Sequence, residues 1–173
     1  MKADITEVQY MMMNHINGNE ALYIQVAPEK HSTVSNCFDN VATKCKKDGG
    51  KPLYGWIIWD NPLYVEAEFH CIWSSDDGQK YKDITPQKDK KDKFILFLPD
   101  ETVTYNGITY PTKYISKYNE PKLLNYISAL SEYQNFLLSI REPYSNKISI
   151  KGEHLKKYKE LSFNLDQAKS ALS

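Results

Sequence analysis

Apolar positions change their spacing several times along the chain, and each change marks an element. Ala21-Leu22-Tyr23-Ile24-Gln25-Val26 is β-branched and aromatic and reads as a strand, preceded by a short lead-in that ends in a polar turn at Asn17-Gly18-Asn19. After a loop at Pro28-Glu29-Lys30-His31-Ser32 the period becomes helical. Phe38, Val41 and Cys45 fall on one face of a helix predicted from about Asn36 to Lys47. Ser32, Thr33 or Ser35 can cap that helix, and Gly49-Gly50 stops it.

The next stretch is strand-like. Leu53 to Trp59 is aromatic and β-branched, Asn61-Pro62 breaks it, and Tyr64 to Trp73 resumes as a longer strand. Asp76-Asp77-Gly78 reads as a hairpin turn leading to Tyr81-Lys82-Asp83-Ile84, which ends at Thr85-Pro86. Phe94 to Leu98 predicts another strand, and residues 101–111 a small hairpin about Asn106-Gly107. Leu123, Leu124, Ile127, Leu130 and Leu137 recur at helical spacing over 121–140, and a more charged helix with Leu155, Tyr158, Leu161 and Leu165 on its stripe follows over about 152–172. The sum is an α+β fold: an antiparallel sheet, a cysteine-bearing helix packed on it, and two C-terminal helices. Residues 1–150 are expected to form the domain, with 151–173 a helix of the same domain or at its periphery.

Composition agrees with a folded chain of this size. Hydrophobic residues make up 41% and charged residues 25% of 173 residues, the range of globular proteins rather than of disorder. Lys+Arg and Asp+Glu are both 22, so no net field draws the chain to nucleic acid or an anionic membrane. Arg141 is the one arginine, which removes the side chain best suited to bidentate phosphate and guanine contacts. The lysine run from Lys88 to Lys93 reads as a solvated loop. The start, Met1-Lys2-Ala3-Asp4, lacks the basic and apolar regions of a secretory signal, and no apolar run approaches the roughly 20 residues of a membrane span. A cytoplasmic protein with neither nucleic acid nor membrane as partner is expected. The three cysteines, Cys37, Cys45 and Cys71, cannot all pair within one chain, so at least one is a free thiol.

A thiol becomes a nucleophile at a helix N-terminus, where unpaired N–H groups stabilise thiolate, with an imidazole close by. Cys37 opens a predicted helix, His70 lies on a strand, and Asp83 lies across the Asp76-Asp77-Gly78 hairpin, where it can orient the ring. Taken singly, each has a plainer role: a buried thiol, a strand histidine, a turn aspartate. Three such residues in this order on these element types point to a catalytic site.

Asn36-Cys37-Phe38, His70-Cys71-Ile72-Trp73 and Tyr81-Lys82-Asp83-Ile84-Thr85-Pro86 together resemble the core of the papain-like, transglutaminase-like cysteine enzymes, over residues 33 to 86. In that superfamily the histidine strand often reads His-Ala-Trp, whereas here the tryptophan falls one residue later, at Trp73. A wider pattern, with Asn40-Val41, Gly49-Gly50, Tyr54-Gly55-Trp56, Glu66-Ala67-Glu68-Phe69-His70 and Phe97-Leu98-Pro99-Asp100, is similar to uncharacterised bacterial proteins that sometimes carry a SEC-C metal-binding tail; no such tail occurs in this sequence. The superfamily resemblance implies a Cys37-His70-Asp83 triad and acyl transfer without a cofactor. The substrate would be a protein, a peptide or a small amide or ester, and the enzyme a peptidase, amidase, deamidase or transglutaminase.

Such a reaction needs a second oxyanion donor beside the backbone N–H of the nucleophile, and Asn36 and Gln25 are the candidates. Trp56, Trp59 and Trp73, with Glu68 on the same strand face as His70, could line a substrate groove, although core packing is the commoner reason for tryptophans near a sheet. Cys45 is expected to pack inward and Cys71 to point away from His70. Metal binding is disfavoured: no Cys-x-x-Cys or paired-His motif occurs, and His70 and Cys71 as strand neighbours point to opposite faces. The competing functional class is a binding module that keeps the scaffold without catalysis and captures a protein through its aromatic groove or last helix.

Overall fold

A computed structural model describes residues 5–89, 93–144 and 147–172, so the centre of the lysine run lies outside the described residues. The elements follow as α1 (Glu7–Ile16), β1 (Leu22–Gln25), α2 (Cys37–Asp48), β2 (Lys51–Asp60), β3 (Tyr64–Ser74), β4 (Tyr81–Lys82), β5 (Phe94–Pro99), β6 (Lys113–Ser116), α3 (Pro121–Ser139) and α4 (Glu153–Ser170). The fold is α+β, with a six-stranded antiparallel sheet in the order β1-β5-β2-β3-β4 and β6 pairing with β3. Contacts divide the chain into two compact units, 1–59 with 68–104 and 60–67 with 105–173.

In the first unit the strand order returns on itself. Just past β4, Asp83 forms a parallel bridge with Val26, just past β1. The Asp83 N–H donates to the Gln25 carbonyl at 3.1 Å, and the Ala27 N–H donates to the Asp83 carbonyl at 2.8 Å. The first and last strands of the order therefore meet at a short seam. Ile24, Ile57, Ile72, Ile95 and Phe97, from β1, β2, β3 and β5, form one buried cluster of this curled sheet. A second cluster gathers Cys37 and Val41 of α2 with Cys71 and Ile84, flanked by Phe38, Cys45, Tyr54 and Trp73. The helical face of Phe38, Val41 and Cys45 thus packs on the sheet as its spacing predicts, with the Phe38 and Phe69 rings 5.3 Å apart.

Two glycines permit close approach. A Cβ at Gly50, where φ is +84°, would lie 2.4 Å from the Ser74 carbonyl oxygen, and one at Gly55 would lie 2.2 Å from that of Leu98 and 2.8 Å from the Phe97 ring. Gly55 is where β5 crosses β2 in register with Pro99. Gly55→Ala is therefore expected to lower stability by about 1–3 kcal/mol through overpacking against rigid backbone. Thermal unfolding checks it: the midpoint should fall by several degrees.

Three features differ from the sequence expectation. The lead-in before β1 contains α1, whose start is a capping box: the Gln9 N–H donates to Thr6 Oγ1 and the Thr6 N–H to Gln9 Oε1, while Met12 and Met13 are buried. Residues 101–111 form turns rather than a hairpin, and the strand in this region is β6, whose Lys113–Ser116 pair with 64–67 of β3. The cap of α2 is Asn36 rather than Ser32, Thr33 or Ser35, and no side-chain capping bond is made there. In the second unit α3 packs against β6 and α4. Leu123 is buried, whereas Leu124 and Leu155 are exposed. The Tyr133 and Tyr158 rings lie 5.9 Å apart, tilted by 45°, and join the two helices.

Candidate active site

Cys37 is the first residue of α2, so its backbone N–H has no acceptor within the helix and the helix dipole favours negative charge beside it. The chain reaches this position under constraint. Ser35, two residues earlier, has φ +60°, in the left-handed region that a serine seldom occupies. The loop from β1 is fastened to α2 at several points. Lys44 forms a salt bridge with Glu29, His31 Nε2 lies 3.2 Å from the Asn40 carbonyl, and the Asn40 side chain takes both backbone groups of Thr33, at 3.0 and 2.8 Å.

His70 sits on β3, and β4 covers only Trp73 and Ser74 of that strand. Asp83 reaches the ring because the chain leaves β4 at once to make the seam with β1. His70 Nε2 lies 3.1 Å from Asp83 Oδ1, a pair almost wholly removed from solvent. The Cys37 side chain lies near enough to His70 to act on the charge of the ring. With Nε2 turned to Asp83, Nδ1 is the nitrogen left for the sulfur. Burial alone would lower the His70 pKa, but the neighbouring Cys37 side chain and the hydrogen bond to Asp83 outweigh it and push it up to about 10. The imidazole therefore holds its proton at neutral pH.

The carboxylate is itself held. Asp83 Oδ1 also accepts from the Thr85 N–H at 3.0 Å, and Oδ2 accepts from Gln87 Nε2 at 2.6 Å. Thr85 Oγ1 is 3.1 Å from Asn40 Nδ2. Asn40 and Thr85 belong to the motifs that carry the family resemblance, with no chemical role implied for either, and the one sequence signal of Gln87 is its position four residues after Asp83.

The other thiols differ from Cys37. Cys71 is buried beside Cys37, and burial followed by the charges of Cys37, Cys45 and Asp83 raises its pKa well above the ordinary thiol value. Burial and then the Asp76 charge raise that of Cys45. Neither is a ready nucleophile. All three cysteines are unpaired.

The remaining sequence candidates fall in several places. Asn36 is half-buried at the head of α2, directly before the nucleophile. Gln25 ends β1 with an exposed side chain, and its backbone carbonyl holds the Asp83 N–H, so its observed part is to anchor the seam. Trp56 does not line a groove: it is 2% exposed and its indole N–H donates to Asp100 Oδ2 at 2.9 Å, so the ring is spent inside the fold. Trp59 packs against the Ile24 cluster and donates to Glu68 Oε2 at 3.2 Å. Trp73 packs on the Cys37 cluster, donates to the Gly49 carbonyl at 2.9 Å, and carries the Lys44 ammonium 4.9 Å above its ring. Of the groove candidates, Glu68 is exposed, and Trp59 and Trp73 are half-buried.

Among the described residues no three His, Cys, Asp or Glu side chains converge as a metal site, and no helix is long and apolar enough to cross a membrane. No protein-family model, curated protein or solved structure matches the chain.

Proposed function

We propose that the chain is a cysteine-dependent acyl-transfer enzyme of the papain-like, transglutaminase-like kind, acting on an amide, ester or thioester. The observation that carries the reading is one buried imidazole hydrogen-bonded to Asp83, with the side chain of a cysteine at a helix N-terminus near enough to act on its charge. In the first step the Cys37 sulfur attacks the carbonyl carbon, and the Cys37 N–H at the head of α2 faces the developing oxyanion. His70 then gives its Nδ1 proton to the leaving amine, alcohol or thiol, and the acyl group stays on sulfur. In the second step His70 takes a proton from water or an amine, which attacks the thioester and releases Cys37 as thiolate. Asp83 keeps the ring oriented and balances its charge throughout. A reducing, cytoplasmic setting suits a mechanism that requires Cys37 as a free thiol.

Iodoacetamide labelling of the full chain between pH 5 and 9, mapped by mass spectrometry, tests the reading. Cys37 should be labelled before Cys45 and Cys71, with a rate at pH 6 about a hundredfold above that of free cysteine. His70→Ala should abolish that advantage. Labelling of Cys37 no faster than free cysteine, and unchanged in His70→Ala, would overturn the enzyme reading in favour of a non-catalytic binding module.

A further inference from the structure

Hydrogen bonds run unbroken from α2 to the imidazole. One turn of α2 beyond Cys37, Asn40 Nδ2 meets Thr85 Oγ1; the Thr85 N–H meets Asp83 Oδ1, which meets His70. The orientation of the Asn40 amide is fixed by its other partners. Its Oδ1 must be the atom facing the Thr33 N–H, and its Nδ2 the atom facing the Thr33 carbonyl, since each backbone group can play one role only. Thr85 Oγ1 is therefore the acceptor of the Asn40 bond. Asn40 and Thr85 are both 3% exposed. At such burial a lost partner is not replaced by water without a local shift.

Resting on the enzyme reading above, we propose that Asn40 and Thr85 are positioning residues that set the Cys37–His70 contact. The nucleophile rides on α2, and the imidazole is oriented by the Asp83 loop. Those two segments come from opposite sides of the His70 strand in the sequence, and the Asn40–Thr85 bond ties them directly. The same amide grips Thr33, four residues before Cys37, so one side chain also fixes the path by which the chain enters the helix. Neither residue touches the reacting atoms. Their effect is on how far the Cys37 sulfur and the His70 ring stand apart, and hence on how fast the thiol reacts.

Thr85→Val tests this with little change of shape, because it removes the acceptor oxygen and keeps the N–H that Asp83 receives. The rate of Cys37 labelling by iodoacetamide at pH 6 is expected to fall at least tenfold from wild type, with the acid limb of the pH profile moved upward. Thr85→Ser, which restores the hydroxyl, should return the wild-type profile. A Thr85→Val profile identical to wild type, while His70→Ala still abolishes the fast labelling, overturns the positioning role and leaves the enzyme reading intact. Wild type that labels no faster than free cysteine overturns both. Should Thr85→Val fail to fold, Thr85→Ala removes the same acceptor without adding a methyl group, and the same comparison decides.

Discussion

Asp83→Ala is expected to cost about 3–5 kcal/mol of stability, the size of effect seen when one partner of a buried charged pair is removed. Asp83 has no exposure, and the substitution strands two buried donors, His70 Nε2 and the Thr85 N–H, and leaves Gln87 Nε2 with the Thr85 carbonyl alone. The backbone seam to Gln25 and Ala27 remains available, so the loss is electrostatic rather than topological. Urea unfolding followed by tryptophan emission measures it. Asp83→Asn, which keeps one acceptor oxygen and the side-chain shape, should lose less. An Asp83→Ala midpoint equal to wild type would mean that the His70 ring is held by something other than this carboxylate.

The second large effect concerns pH. A histidine whose pKa in the folded chain is about 10, above an ordinary value near 6.5, binds its proton more tightly folded than unfolded. The stabilisation is therefore fully present below about pH 6.5 and is lost as pH rises through about 10. Compared with His70→Gln, the wild-type chain should show an excess unfolding free energy on the order of a few kcal/mol that shrinks across this window. Nitrogen-15 spectra of the labelled imidazole give the direct readout: the ring should remain doubly protonated well above neutral pH. Cys37→Ala should bring the transition down, since Cys37 supplies the largest of the contributions that raise it. A ring that titrates near 6.5 in the wild-type chain contradicts the charged pair.

The order Cys37, His70, Asp83 was legible because each residue lies in an element with its own local signature: helical spacing after a loop, an aromatic strand, and a hairpin turn ahead of the aspartate. The α+β class was legible for the same reason. Contacts made across long separations were not. Asn40 reads as an ordinary helix residue, and nothing local says that its amide meets Thr85, 45 positions away. Trp56 is more commonly core than groove by its residue type, and its burial and its bond to Asp100, 44 residues on, assign it to the interior. β6 is short and half-buried, with a pattern too brief to register as a strand. By contrast α1 carries a readable mark, Thr6 followed three residues later by Gln9, ahead of the polar turn at Asn17-Gly18-Asn19.

Asp83 has two employments: its backbone stitches the end of β4 to the end of β1, and its side chain faces His70. A nascent or partly denatured chain whose stitch is open therefore lacks an aligned imidazole as well. On the enzyme reading, competence arrives only with the final closure of the sheet, so a misfolded copy carries an inert thiol instead of a stray acylating agent.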